Sequence, residues 1–263
     1  MAIVKIPDSP TPIATGADGT PPTRACLVTG VSRGLGLVIS RKLLAAGWTV
    51  LGISRRPSAE WEALAAEFPG KTRYLALDLA EPAAIADAPF REFLSYEVAL
   101  HGLVNNAAVA YDDLLTNLDL DAAQRMFATN VFSAMALTRA AVRNMLYHKV
   151  AGSLVHVSSI STRTGFKGLS FYAASKGALE AFSKNVAREW GPRGIRSNCV
   201  VPGFLETDMS SGLADAEREK IFRRNALPGA TSLEEVARSV VFLLGTEAGG
   251  MTGQALAVDR GAI

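Results

Sequence analysis

The feature that most constrains this chain lies near its start. An apolar run from Arg24 to Val28 reads as a buried strand. It gives way to Thr29-Gly30-Val31-Ser32-Arg33-Gly34-Leu35-Gly36 and then to an amphipathic helix reaching about Ala46. Strand, glycine-rich turn and helix in that order form a phosphate cradle. Glycines let the backbone come close to a pyrophosphate, and the free amides at a helix start favour its negative charge. The spacing is Gly-x-x-x-Gly-x-Gly, not the Gly-x-Gly-x-x-Gly of the commoner dinucleotide fold.

Strands and helices alternate through the rest of the chain. Strands are expected at Thr49 to Ile53, Arg73 to Leu77, Leu100 to Val104, Gly152 to Val157, Ile195 to Val201 and Ala255 to Asp259. Helices are expected from about Ser58 to Phe68, from Asp121 to about Lys149 with Asn130 interrupting it midway, from Tyr172 to Trp190 and from Leu233 to Leu244. Seven strands alternating with helices predict an α/β fold: a Rossmann-like, doubly wound, seven-stranded parallel sheet covered on both faces. The chain of 263 residues is read as a Pro-rich arm, 1–23, with five of the twelve prolines, followed by one domain over 24–263. Met209 to Ala230 mixes charge with Leu and Phe, as a lid over a substrate would.

Composition excludes several classes of function. The net charge of +2 arises from balanced charges with no run of like sign, which argues against nucleic-acid binding or an acidic membrane surface. No apolar stretch approaches the roughly 20 residues that span a bilayer, and Met1 to Ile6 lacks the pattern of a secretory signal. The cytoplasm is the expected location. Cys26 and Cys199 fall within strands and read as small core residues, and His101, His148 and His156 show no metal-ligand spacing. No metal site is expected.

The chemistry is carried by Ser159 to Lys176. Tyr172 and Lys176 lie four residues apart at the start of a helix, on one face. A phenol with a pKa of roughly 10 exchanges protons poorly at neutral pH, and an adjacent ammonium is expected to pull that value down. Ser159, at the end of an apolar strand, is placed to hold a substrate oxygen against the same phenol. Such a site suits proton transfer to a carbonyl as hydride arrives from elsewhere. Around the cradle, Ser54-Arg55-Arg56 stands where an acid would grip the adenosine ribose, and the first acid is Glu60. Arg55 and Arg33 together could bracket a 2′-phosphate, which points to NADP(H). Asp78 either bonds the adenine or caps the next helix, and Asn105-Asn106 needs its amides satisfied by backbone or ligand. Asn130, midway along the long helix, is either satisfied locally or holds a water next to the site.

Thr29-Gly30-x-x-x-Gly34-x-Gly36, Asn105-Asn106-Ala107, Asn130, Ser159, Tyr172-x-x-x-Lys176 and Pro202-Gly203-x-x-x-Thr207 occur in the order found in the short-chain dehydrogenase/reductases, which the chain resembles from about residue 24 to its end. The resemblance implies that Tyr172 is the general acid and base. It implies that Lys176 tunes Tyr172 and holds the nicotinamide ribose, that Ser159 orients the carbonyl and that Asn130 anchors a relay water. The dinucleotide contacts it implies are Gly30, Ser32, Arg33, Gly34, Leu35 and Gly36 in the turn, with Ser54 and Arg55 after the second strand. Asp78, Leu79, Asn106, Pro202, Gly203 and Thr207 complete them.

Val31 to Gly36 and Pro202 to Met209 look most like the 3-oxoacyl-[acyl-carrier-protein] reductases, which are commonly homotetramers. This implies reduction of a 3-oxoacyl thioester with NADPH on a substrate carried by acyl carrier protein. The chain departs from that group at Ala108, at Asp259-Arg260-Gly261 and at Val150, where a basic carrier-docking residue is usual. Two alternatives stand beside this reading. One is a reductase or dehydrogenase for a secondary alcohol, sugar, steroid or polyketide ketone, and the other is a non-catalytic dinucleotide-binding scaffold.

Overall fold

The computed structural model of the chain describes residues 24–95, 97–206 and 215–263. The expected Pro-rich arm over 1–23 lies outside these residues, as do Thr207 and the beginning of the segment read as a lid.

Seven parallel strands form one sheet in the order β3-β2-β1-β4-β5-β6-β7. They are β1 (Ala25–Thr29), β2 (Thr49–Ser54), β3 (Thr72–Ala76), β4 (Leu100–Asn105), β5 (Ser153–Val157), β6 (Arg196–Pro202) and β7 (Ala255–Val258). β1, β4 and β5 are buried at every position, as apolar runs without polar alternation require when helices cover both faces. Side chains alternate between two cores. Cys26 and Val28 of β1 join Ile39, Leu43, Val240 and Leu243 on one face. Leu27 joins Leu103, Leu137, Met145 and Leu154 on the other.

The first face is covered by α1 (Gly34–Ala45) and α8 (Leu233–Leu244), which pack against each other. α8 starts with a capping box: the Ser232 hydroxyl accepts from the Glu235 amide, and the Glu235 carboxylate accepts from the Ser232 amide. Across the sheet lie α5 (Ser133–His148) and α6 (Ser170–Trp190). Shorter helices complete the chain: α2 (Ala59–Glu67), α3 (Ala88–Phe93), α4 (Leu120–Phe127) and α7 (Asp215–Phe222). The strand order reverses between β1 and β4, so the chain leaves these two neighbouring strand ends in opposite directions. The crevice between them is where ligands settle in sheets of this kind.

The long helix expected from Asp121 to about Lys149 is present, and at Asn130 its α-helical turns give way to a π-helical turn, Ala128–Phe132, between α4 and α5. Asn130 supplies the physical reason, because its side chain is tied to another segment at this point.

Candidate active site

The turn after β1 is shaped by missing side chains. Gly30 has φ +73°, and a Cβ placed on Gly36 would stand 2.1 Å from the Gly30 carbonyl oxygen, so the turn folds down onto the start of α1. Gly34, at φ +58°, has nothing within 4 Å of the corresponding position. Arg33 at the N-cap makes no side-chain cap, and the first turn of α1 carries no acid. Open space, uncapped amides and no competing carboxylate are what a pyrophosphate needs, so the turn fits the group expected there.

Asn106 props this turn from the neighbouring strand. Its Nδ2 donates to the Thr29 carbonyl at 2.9 Å, and the Thr29 hydroxyl accepts from the amides of Asn106 (3.0 Å) and Ala107 (2.9 Å). Arg33, at the N-cap of α1, and Arg55, directly after β2, are both exposed. Ser32 is bound through its carbonyl by the Ser58 hydroxyl, and Leu35 is buried in the core. Other expected contacts have different occupations. Ser54 is buried, with its hydroxyl 2.9 Å from that of Tyr74. Asp78 accepts from the Ala80 amide at 2.9 Å, closing its own turn; the following 3-10 helix has Glu81 at its N-cap position and no side-chain cap, so Asp78 does not cap it. Leu79 is buried, its carbonyl accepting from the Ser133 hydroxyl. Pro202 ends β6 and Gly203 follows, its amide bonded to the Val258 carbonyl at 2.9 Å.

On the other side of the crevice, β5 delivers Ser159 and α6 delivers Tyr172 and Lys176. Lys176 is 2% exposed, an uncommon state for an ammonium, and its Nζ donates to the Val157 carbonyl at 2.9 Å. Burial pulls its pKa down to about 8. The same Nζ stands 5.6 Å from the centre of the Tyr172 ring. Tyr172 keeps part of its surface exposed, yet burial pushes the phenol up to about 12, with the Ser159 hydroxyl acting in the opposite direction. The expected lowering of this phenol by Lys176 is therefore not found. The ammonium is spent on a carbonyl and lies towards the ring, while burial disfavours the charged form of both groups.

Asn130 is 1% exposed, and its side chain is fully used. Oδ1 accepts from the Val109 amide at 2.9 Å, while Nδ2 donates to the Val109 carbonyl at 2.9 Å and to the Ser175 hydroxyl at 3.1 Å. It thereby ties the segment after β4 to α6, one residue before Lys176. A buried polar chain runs beneath. Asn105 Nδ2 lies 3.1 Å from His156 Nδ1, and His156 Nε2 lies 3.3 Å from the Ser197 hydroxyl, which lies 2.8 Å from that of Ser183. Burial, reinforced by Lys176, lowers the His156 pKa to about 4, so this ring is neutral.

Sequence reasoning misses two contributors. Thr29 reads only as the opening residue of the glycine-rich turn, although its hydroxyl organises Asn106. Glu180 gives no signal of its own beyond continuing the four-residue spacing from Tyr172 through Lys176. Among the described residues no His, Cys, Asp and Glu cluster could hold a metal, and no helix is long and apolar enough to cross a membrane.

Comparison with known proteins gives consistent results. Residues 30–262 match the family model described as enoyl-(acyl carrier protein) reductase. The 3-oxoacyl-[acyl-carrier-protein] reductase FabG of Chlamydia pneumoniae is 35% identical over 238 residues, 89% of this chain and 95% of the relative. The enzyme of the same name from Escherichia coli (strain K12) is 34% identical over 241 residues, 90% of this chain and 96% of the relative. Among solved structures, a gluconate 5-dehydrogenase from Burkholderia cenocepacia J2315, in complex with NADP and tartrate, superposes with a TM-score of 0.84. It is 26% identical, and the match covers 91% of this chain and 94% of that one.

Proposed function

The chain belongs to the short-chain dehydrogenase/reductase family, and from that premise we propose that it reduces 3-oxoacyl thioesters to 3-hydroxyacyl thioesters with NADPH. Family membership makes it an oxidoreductase of CH–OH and C=O groups that binds a nicotinamide dinucleotide. The choice of thioester rests on the two reductases above, and the choice of phosphorylated cofactor on Arg33 and Arg55. A carrier protein as bearer of the substrate and a homotetrameric assembly belong to the same proposal.

The observation that carries the proposal is the meeting of Ser159, Tyr172 and Lys176, with Lys176 Nζ fixed on the Val157 carbonyl two residues before Ser159 and 5.6 Å from the centre of the Tyr172 ring. Burial holds the Tyr172 phenol protonated at neutral pH, so it carries the proton that a reduced carbonyl oxygen needs. When bound, the dinucleotide supplies the hydride. Gly30, Gly34 and Gly36 would leave room for its pyrophosphate at the start of α1, with Arg33 and Arg55 at the ribose phosphate. Ser159 holds the substrate oxygen beside the phenol, and Tyr172 gives that oxygen its proton. Lys176, fixed by the Val157 carbonyl, sets a positive charge where negative charge develops on the phenol. Asn130 keeps α6 and the segment after β4 in register, which holds this geometry before substrate arrives.

The test is NADPH oxidation across acetoacetyl-carrier-protein, acetoacetyl-coenzyme A, crotonyl-coenzyme A and a sugar ketone. Acetoacetyl thioesters should exceed the others at least about tenfold in kcat/KM. Faster crotonyl turnover would replace this reading with enoyl reduction, and faster sugar turnover with a sugar dehydrogenase.

A further inference from the structure

Tyr172, Lys176 and Glu180 form one stripe along α6, and the last of them has no part in the chemistry derived above. Its side chain is 11% exposed, deep for a carboxylate. Oε1 accepts from the Ser158 hydroxyl at 2.7 Å and from the Thr162 hydroxyl at 2.7 Å, whose single proton is shared with the Ser159 carbonyl at 2.9 Å, and Oε2 accepts from Arg163 Nη2 at 3.1 Å. These three donors stand one residue before Ser159 and three and four residues after it. Ser159 itself is extended, with φ −162° and ψ 150°, and its hydroxyl accepts from the Ser161 amide at 3.2 Å.

We propose that Glu180 is a positioning residue for the ketoreductase reaction, holding the Ser158–Arg163 turn on α6 so that the Ser159 hydroxyl stays beside Tyr172. The inference rests on the ketoreductase reading above. Lys176 grips the Val157 carbonyl two residues before Ser159. Glu180 grips the next residue and the far end of the turn. Both ends of the segment carrying Ser159 are thus stapled to the helix that carries Tyr172, and the distance between the two hydroxyls becomes a property of one rigid unit. A carboxylate suits the task because it only accepts and offers two oxygens to three donors. Ser158 is 3% exposed, so loss of Oε1 would leave its hydroxyl buried without its present acceptor, and the turn would rearrange to find another.

The experiment compares Glu180→Leu, Glu180→Gln and Thr162→Val in the full chain. It measures kcat and KM for acetoacetyl-coenzyme A, Kd for NADPH and the melting temperature. Gln keeps an acceptor at Oε1 and gives up only the Arg163 contact. Glu180→Leu should lower kcat by about thirtyfold, because sub-ångström misplacement of a polarising hydroxyl acts on the transition state, with Kd for NADPH within about twofold. Glu180→Gln should restore kcat to within about threefold of the parent, and Thr162→Val should lie between. A kcat for Glu180→Leu within twofold of the parent overturns the proposal. So does a Gln variant as slow as Leu, or an NADPH affinity and a melting temperature that fall in step with kcat, the mark of general destabilisation. If Glu180→Leu does not fold, Ser158→Ala, measured in the same way, decides, because the Ser158 hydroxyl bonds Glu180 and not Ser159: a selective loss of kcat supports positioning, and an unchanged kcat overturns it. A parent with no carbonyl turnover removes the ketoreductase reading first, before any variant is compared, and this proposal with it.

Discussion

The turn after β1 and the helix after β5 lie either side of β4, and they are built in opposite ways. At the turn, function comes from atoms left out: Gly30 and Gly36 bring backbone to backbone, Gly34 leaves open space, and no side chain caps the helix start. On α6, function comes from polar groups taken in, with Lys176 buried, Tyr172 held protonated and a neutral His156 below. The first arrangement costs conformational freedom in the unfolded chain, and the second costs desolvation in the folded one. Substitutions should therefore separate the two sides by what they do to stability.

The largest effect is expected at Lys176. Lys176→Met keeps the length and removes the charge, so turnover should fall by about a thousandfold or more. Stability should rise, because holding a protonated lysine whose pKa has dropped from 10.5 to about 8 costs on the order of 3 kcal/mol. The sign fixes a pH signature. Below pH 8 both the folded and unfolded lysine are protonated and the cost is complete; it fades as pH rises towards 10.5. Chemical denaturation of parent and variant should show a gap that narrows over that window, and a variant less stable than the parent at pH 7 would blur the contrast drawn here.

Gly36→Ala comes next and should act in the opposite sense. A methyl 2.1 Å from the Gly30 oxygen forces the turn open, so stability should drop by about 3 kcal/mol and dinucleotide affinity by about a hundredfold. Calorimetry and dinucleotide titration would show both losses together, and a stable, tightly binding variant would mean that the turn is not the cradle. The smallest effect belongs to the exposed rim. Arg55→Asp should move the NADPH/NADH preference by about tenfold towards NADH with little change in melting temperature. An unchanged ratio would place phosphate recognition elsewhere.

Legibility follows the same division. The glycine turn can be read because its geometry is local: residue spacing alone dictates which backbone atoms meet. Tyr172 and Lys176 can be read because four residues along a helix is also a local distance. The π-turn at Asn130 cannot, since it depends on Val109 and Ser175, 21 and 45 residues away. The role of Glu180 is hidden for a related reason, because its partners lie across a loop. Spacing gives the pKa of Tyr172 the wrong direction because it reports proximity to a charge but not burial, and here burial prevails. Seven strands emerge from seven apolar runs, with ends misplaced by a residue or so where strand and turn share residue types.

The central claim is that the Tyr172 hydroxyl delivers the proton, and Tyr172→Phe tests it with the loss of a single oxygen. NADPH Kd, measured by fluorescence titration, should stay within about twofold, while acetoacetyl-thioester reduction should fall by about a thousandfold or more. A Tyr172→Phe enzyme that binds NADPH normally and turns over at a near-parental rate would contradict the account.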